Sequence, residues 1–117
     1  MDVRLIDGEI YRDSDGNYAY ISGMDEMVQR VRIACTVPLG SYIYNRALGI
    51  DLYDISPVRE TLTERLDLRV KEACVNIDDA YVEVIGTTVN GHDVTAAIAV
   101  TGMGETRTTE VTYDGLL

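Results

Sequence analysis

Residues 81–101 read YVEVIGTTVNGHDVTAAIAVT, and this stretch decides the fold. Two runs rich in Val, Ile and Thr flank Asn90-Gly91, the dipeptide preferred in a type I′ hairpin turn because both central residues sit at positive φ. In the second run Val94, Ala96, Ile98 and Val100 alternate with Thr95, Ala97, Ala99 and Thr101. A period of two puts the first set on one face of a strand, to be covered, and leaves the second, small and mildly polar, on the other. The pattern predicts a hairpin with strands over Tyr81–Val89 and His92–Thr101.

Downstream, Gly102 and Gly104 mark another turn, and Glu105–Tyr113 reads as a last strand. Arg107, Thr109, Val111 and Tyr113 share one face; Thr106, Thr108, Glu110 and Thr112 share the other. A strand this thin in core residues belongs at a sheet edge, where its unpaired N–H and C=O groups could accept a strand from another chain. Its removal should then leave the core folded.

Upstream of residue 81 the apolar period becomes 3.6. Ser56-Pro57 has the form of a helix start, Ser as cap and Pro at the first helical position, where a missing N–H costs nothing. Val58, Leu62, Leu66, Val70, Ala73 and Ile77 make one stripe of a helix over 57–76, and Arg59, Glu60, Glu64, Asp67, Arg69, Lys71 and Glu72 cover the opposite side. Ser22 and Asp25 suggest a capping box, followed at helical spacing by Met24, Met27, Val28, Val31, Ala34 and Cys35, which predicts a helix near 24–35. Pro38 and Gly40 end it. Ser41–Tyr44 and Ile50–Tyr53 are expected as short β-type pieces around a loop that turns at Gly49. At the N-terminus, Glu9–Arg12 and Asn17–Ile21 are expected to pair around Asp13-Ser14-Asp15-Gly16, giving a hairpin over 9–21. The whole of 1–117 reads as one α+β domain, two helices packed on an antiparallel sheet with a C-terminal hairpin and an edge strand over 81–113.

The chain has 117 residues and a net charge of −10. A field of that sign repels phosphate and argues against direct contact with nucleic acid or an anionic membrane. The charge is uneven: residues 1–23 carry five acids and two bases, 24–74 eight and seven, and 75–117 seven and one. The C-terminal third is therefore the acidic piece. No run approaches the roughly 18 apolar residues of a membrane span, and the N-terminus lacks the pattern of a signal peptide, so a cytosolic product is expected. In that compartment Cys35 and Cys74 are expected to pack as small hydrophobes rather than as a disulfide. Two cysteines and one histidine also fall short of a zinc site.

Motifs that carry chemistry are sparse. His92 lies beside the hairpin turn with no spaced nucleophile and base, and is expected to be solvated. There is no phosphate loop. Asp78-Asp79 reads as a turn, and Glu60 and Glu64 share a helix face without the marks of a glycosidase pair. Asp13-Ser14-Asp15-Gly16-Asn17 opens like a calcium loop, but Tyr18 and Met24 stand where a Gly and a bidentate Glu are needed. No cofactor is expected.

From Met27 to Val100 the order of features resembles the baseplate wedge or sheath-initiator family, the lysozyme-like baseplate proteins of contractile phage tails and related injection systems. The resemblance rests on Val28-Val31-Ala34 leading into Thr36-Val37-Pro38-Leu39-Gly40-Ser41, then on Asn45-Arg46-Ala47-Leu48-Gly49-Ile50-Asp51-Leu52. The helix from Pro57 and the strands Tyr81–Val84 and Val94–Val100 follow. Thr36, Gly40 and Gly49 are its turn positions. Family members often carry Glu-Pro-Arg after the second helix, a motif linked to docking on neighbouring wedge proteins; this chain has Asn76-Ile77-Asp78-Asp79-Ala80 there, so docking would fall to Asp78 and Asp79.

The resemblance implies assembly in several copies around a tail tube, with the sheath protein and adjacent wedge proteins as partners. The chain would be made in the bacterial cytoplasm and built into the baseplate of a virion or tail-like particle. It also implies that the last strand, Thr106, Arg107, Thr108, Thr109, Glu110, Val111 and Thr112, pairs with a strand of the first sheath ring, which suits a Thr-rich edge without enzymatic groups. Some relatives are labelled lysozyme-like, yet no pair of carboxylates in contrasting environments is marked here, and no enzyme is expected. The alternative is a small acidic protein-binding or inhibitor domain presenting the Asn90-Gly91 hairpin to a basic partner.

Overall fold

The computed structural model describes residues 23–53, 55 and 59–117, and the backbone of the strand residues 2–3, 5–6, 9–10 and 20–21; for residues 59 and 60 likewise only the backbone is described. In chain order the elements are β1 (Asp2–Val3), β2 (Leu5–Ile6), β3 (Glu9–Ile10), β4 (Tyr20–Ile21), α1 (Gly23–Thr36), α2 (Arg59–Ala73), β5 (Tyr81–Asn90), β6 (Asp93–Gly102) and β7 (Glu105–Tyr113). The three long strands form an open antiparallel sheet in the order β5-β6-β7. The fold is the expected α+β arrangement.

Alternation on β6 does what its spacing requires. Val94, Ala96, Ile98 and Val100 are fully buried, and Thr95, Ala97 and Ala99 point to the other, more open face. The two helices cover the buried face, with α2 packed under β5 and α1 under β6 and β7. Met24, Met27, Val31, Ala34 and Cys35 recur at helical spacing along α1 and meet Leu62, Leu66, Val70 and Cys74 from α2 and the turn after it. Burying each of the larger aliphatic side chains contributes about 1.5–3 kcal/mol, which makes this face the main stabilising layer.

The hairpin forms one residue out of its expected phase. Asn90 pairs with Asp93, so Gly91-His92 are the central residues of the turn. Gly91 has a φ of 63° and His92 is not at positive φ, the type II′ pattern with Gly at the first central position, rather than type I′ over Asn90-Gly91. His92 is also held: its Nδ1 donates to the Leu117 main-chain oxygen at 2.9 Å, and the Leu117 N–H donates to the His92 carbonyl at 3.1 Å. A bulge lies between Val84 and Gly86, leaving Ile85 unpaired. Beyond it the inward phase of β5 moves from Val82 and Val84 to Thr87 and Val89, and Thr87 shares a 2.7 Å hydrogen bond with Thr63 of α2.

Other boundaries differ too. α2 stops at Ala73, short of 76, and residues 74–79 form turns. Ser41–Tyr44 and Ile50–Tyr53 form no strands; what they contribute is one parallel bridge between Pro38 and Ile50, held by Leu39 N–H to Ile50 O at 3.0 Å and Ile50 N–H to Val37 O at 2.8 Å. That pinch explains Gly49. Its φ is 118°, and a Cβ there would come within 2.8 Å of the Pro38 carbonyl carbon, so no other residue fits without moving the backbone. At the N-terminus Glu9–Ile10 pairs with Leu5–Ile6, and Tyr20–Ile21 with Asp2–Val3, rather than with each other. The sequence between the paired Ile6 and Glu9 is Asp7-Gly8, a hairpin dipeptide in its own right. Ser22, the turn cluster 13–16 with its calcium-like pattern, and Ser56-Pro57-Val58 lie outside the described residues.

Candidate functional site

β7 is an edge strand, as its composition suggests, and β5 is the other edge. Met103 and Gly104 connect β6 to β7 with φ of 50° and 76°, a type I′ turn closed by the pair Gly102 and Glu105. A two-residue hairpin closes on a pair that exchanges hydrogen bonds, and the ladder alternates from there. The main-chain groups of Thr106, Thr108, Glu110 and Thr112 therefore point away from β6, toward the free edge. Their side chains stand on the face that no helix covers, where Thr106 bonds Thr101 at 2.9 Å and Thr112 bonds Thr95 at 3.0 Å across the ladder.

The other three residues of the proposed pairing strand face inward. Val111 is only 4% exposed and belongs to the core, as does Tyr113 at 8%. This overturns the expectation that 105–117 can be removed with the core intact, because β7 closes the β7 side of the layer over α1. Arg107 reaches Asp25 on α1 and also pairs with Glu105 at 3.2 Å. Arg32 of α1 donates to Thr109 Oγ1 at 2.6 Å and to the Glu110 carbonyl. One of the outward-facing acceptors of β7 is thus occupied by a helix side chain. The opposite edge has a counterpart, since Asp67 Oδ1 of α2 accepts the Val84 N–H at 2.9 Å.

Asp78 and Asp79 are exposed in the turn before β5. Asp79 has a φ of 61°, and its carbonyl lies where a Cβ on Gly102 would come within 3.0 Å, so the pair sits at the β6–β7 turn end of the sheet. Thr36 is exposed and its hydroxyl donates to the Arg32 carbonyl at 2.6 Å, closing the last turn of α1. Gly40, at a φ of 82°, and Gly49 shape the loop that follows. The three turn positions are architectural: they build the loop rather than present a reactive group.

Sequence reasoning missed two features. Arg32, Asp25 and Asp67 hold the sheet edges, and on the sequence they are indistinguishable from other charges on solvated helix faces. The loop after α1 also displays Leu39, Tyr42, Ile43, Tyr44 and Tyr53, with Tyr44 83% and Tyr53 98% exposed. Beside it runs a groove of about 510 Å³ lined in part by Thr36, Leu39, Ile50 and Tyr53. The signal was the clustering of three apolar residues at 42–44 without a matching period.

Among the described residues no group of three His, Cys, Asp or Glu side chains converges as a metal site, and no helix is long and apolar enough to cross a membrane. No family model matches the sequence, and no curated protein does. A solved structure does match in shape: a protein of Geobacter sulfurreducens, provisionally named a tail lysozyme and determined by crystallography at 1.44 Å. The two superpose with a TM-score of 0.62 at 15% identity, over 81% of this chain and 94% of that one, so the chain shares its fold with that protein.

Proposed function

We propose that this chain is a structural component of the baseplate of a contractile phage tail or a related injection machine. It joins neighbouring wedge proteins and starts sheath assembly by accepting a sheath strand along β7. The observation that carries this reading is the outward-facing main chain of Thr106, Thr108, Glu110 and Thr112 on an edge of the sheet. Strand addition draws affinity from main-chain hydrogen bonds and register from side chains, and this edge supplies both without any catalytic group. The shape shared with a protein named for a tail supports the setting. The acidic C-terminal third supports a strand with basic flanks as the partner, and Asp78 and Asp79, at one end of the same sheet, are placed to meet basic groups on an adjacent wedge protein. The chain acts by binding, in several copies around the tube, without a cofactor, after synthesis in the bacterial cytoplasm.

Thr108→Pro tests the reading. Its N–H points away from β6, so proline removes no internal ladder bond and an edge strand tolerates it, but it takes away a donor in the middle of the accepting edge. Co-expressed with the sheath protein and viewed by electron microscopy, the folded variant should fail to nucleate sheath. Normal contractile particles from Thr108→Pro and from Glu110→Pro would overturn the proposal.

A further inference from the structure

Two thiols that are 39 residues apart in sequence meet inside the core. Cys35, the penultimate residue of α1, and Cys74, the first residue after α2, have their Sγ atoms 3.8 Å apart. Both are free, and both are buried. We propose that Cys35 and Cys74 are the site of a reversible disulfide that ties α1 to the end of α2, formed by exchange with a small-molecule disulfide of the glutathione class.

The geometry requires little. A disulfide needs its sulfurs about 2.05 Å apart, and at 3.8 Å the two Sγ atoms are already in contact, with rotation about χ1 as the movement that would bring them together. The two sulfurs are also unequal. The hydrogen bond to Cys74, with burial next, pushes the Cys35 thiol far up, and Cys74 is the more accessible of the two, 4% exposed against 0%. It also lies in a turn rather than within a helix, which makes it the sulfur that local opening exposes. In the first step the Cys74 thiolate attacks one sulfur of the small disulfide. That S–S bond breaks, and one small thiolate leaves and takes up a proton. In the second step the Cys35 sulfur, losing its proton, attacks Cys74 Sγ in the mixed disulfide, and the second small thiol departs. Two cysteine thiols are oxidised and one small disulfide is reduced to two thiols, so atoms and electrons balance.

The position gives the bond a consequence. α1 and α2 pack on the sheet more extensively than on each other, and each sends a side chain to one sheet edge, Arg32 to β7 and Asp67 to β5. A bond between Cys35 and Cys74 would fix the two helices together and with them both guarded edges. In reducing surroundings the layer stays unlinked; in oxidising surroundings it is locked.

The experiment equilibrates the purified full chain in glutathione buffers from reducing to oxidising and reads intact mass and thermal midpoint. The expected result is loss of two hydrogens with no glutathione adduct, a midpoint raised by roughly 10 °C, and reversal by dithiothreitol. Cys35→Ser and Cys74→Ser, each left with one thiol, should form no internal bond and show no such rise in midpoint. Two titratable thiols in the denatured chain after oxidising equilibration would overturn the proposal, as would a wild-type protein that retains a glutathione adduct.

Discussion

Asp67 Oδ1 accepts the main-chain N–H of Val84 at 2.9 Å, so that a helix side chain occupies the place a neighbouring strand would take at the β5 bulge. The other carboxylate oxygen of Asp67 pairs with Lys71 at 2.8 Å. Replacing Asp67 by Ala leaves a part-buried N–H without its partner and should cost about 1–2 kcal/mol. Asn keeps the acceptor and loses only a half-exposed i,i+4 ion pair, worth less than about 1 kcal/mol. Urea unfolding of the two variants beside the parent checks the order; equal losses would mean that the ion pair, not the cap, carries the effect.

Arg32 guards the other edge through the Glu110 carbonyl and Thr109 Oγ1. Arg32→Ala frees an outward acceptor on β7 while touching no core residue. The variant should stay folded and gain affinity for an added strand, seen either as concentration-dependent association in analytical ultracentrifugation or as faster sheath nucleation on co-expression. A variant that is monomeric and nucleates no faster would show that the guard has no role in pairing.

Met103 stands at the first central position of a type I′ turn with a φ of 50°, where a side chain without a local polar partner is strained. It is exposed, so its side chain contributes little packing. Met103→Asn restores the Asn-Gly dipeptide with Gly104 and should stabilise the chain by about 0.5–1 kcal/mol, measured as a higher urea midpoint at unchanged slope.

Tyr113 is buried, and among the described residues no group bonds its hydroxyl. Burial above all, with the neighbouring cysteines as lesser contributors, pushes its phenol above the ordinary tyrosine range. A group whose folded pKa is raised contributes fully below its unfolded value, near 10, and loses that contribution as pH rises past it, because the unfolded chain then releases a proton that the native state keeps. Tyr113→Phe removes both the orphan hydroxyl and the titration. It should gain about 1 kcal/mol at neutral pH and lose less stability than the parent between pH 9 and 11. Parallel alkaline curves for the two proteins would contradict the assignment.

The elements that could be read from the sequence are those in which periodicity and burial agree over many residues. Ile98 and its neighbours at spacing two, and Leu62, Leu66 and Val70 at spacing four, lie where the pattern puts them. The loop over 38–53 could not be read, since Leu39, Tyr42, Ile43, Tyr44 and Tyr53 face solvent while Ile50 is buried, and its one bridge depends on Gly49 approaching the backbone of residues 37–39. The hairpin turn slipped by one residue because Asn90-Gly91 and Gly91-His92 both supply a glycine, and the turn type was settled by the pairing of the strands around it. At the N-terminus both 13–16 and Asp7-Gly8 have turn composition, and the pairing of Ile6 with Glu9 brackets the second. Of the candidate edge, the sequence showed which residues of β7 share a face, and Thr106, Thr108, Glu110 and Thr112 do point away from the helices.

Alternation and helical stripes alone determined the fold class, the buried face of β6 and the edge position of β7, because each follows from which side chains must leave water. Which edge groups remain open was decided only in three dimensions. Arg32 and Asp67 lie far from Glu110 and Val84 along the chain, and their polar side chains carry no periodic signal. Their roles exist only once the sheet has brought its unpaired main-chain groups within hydrogen-bond reach of the helices beneath it. The same holds for Cys35 and Cys74, each an ordinary apolar position in the sequence and neighbours only once the ends of α1 and α2 meet in the core.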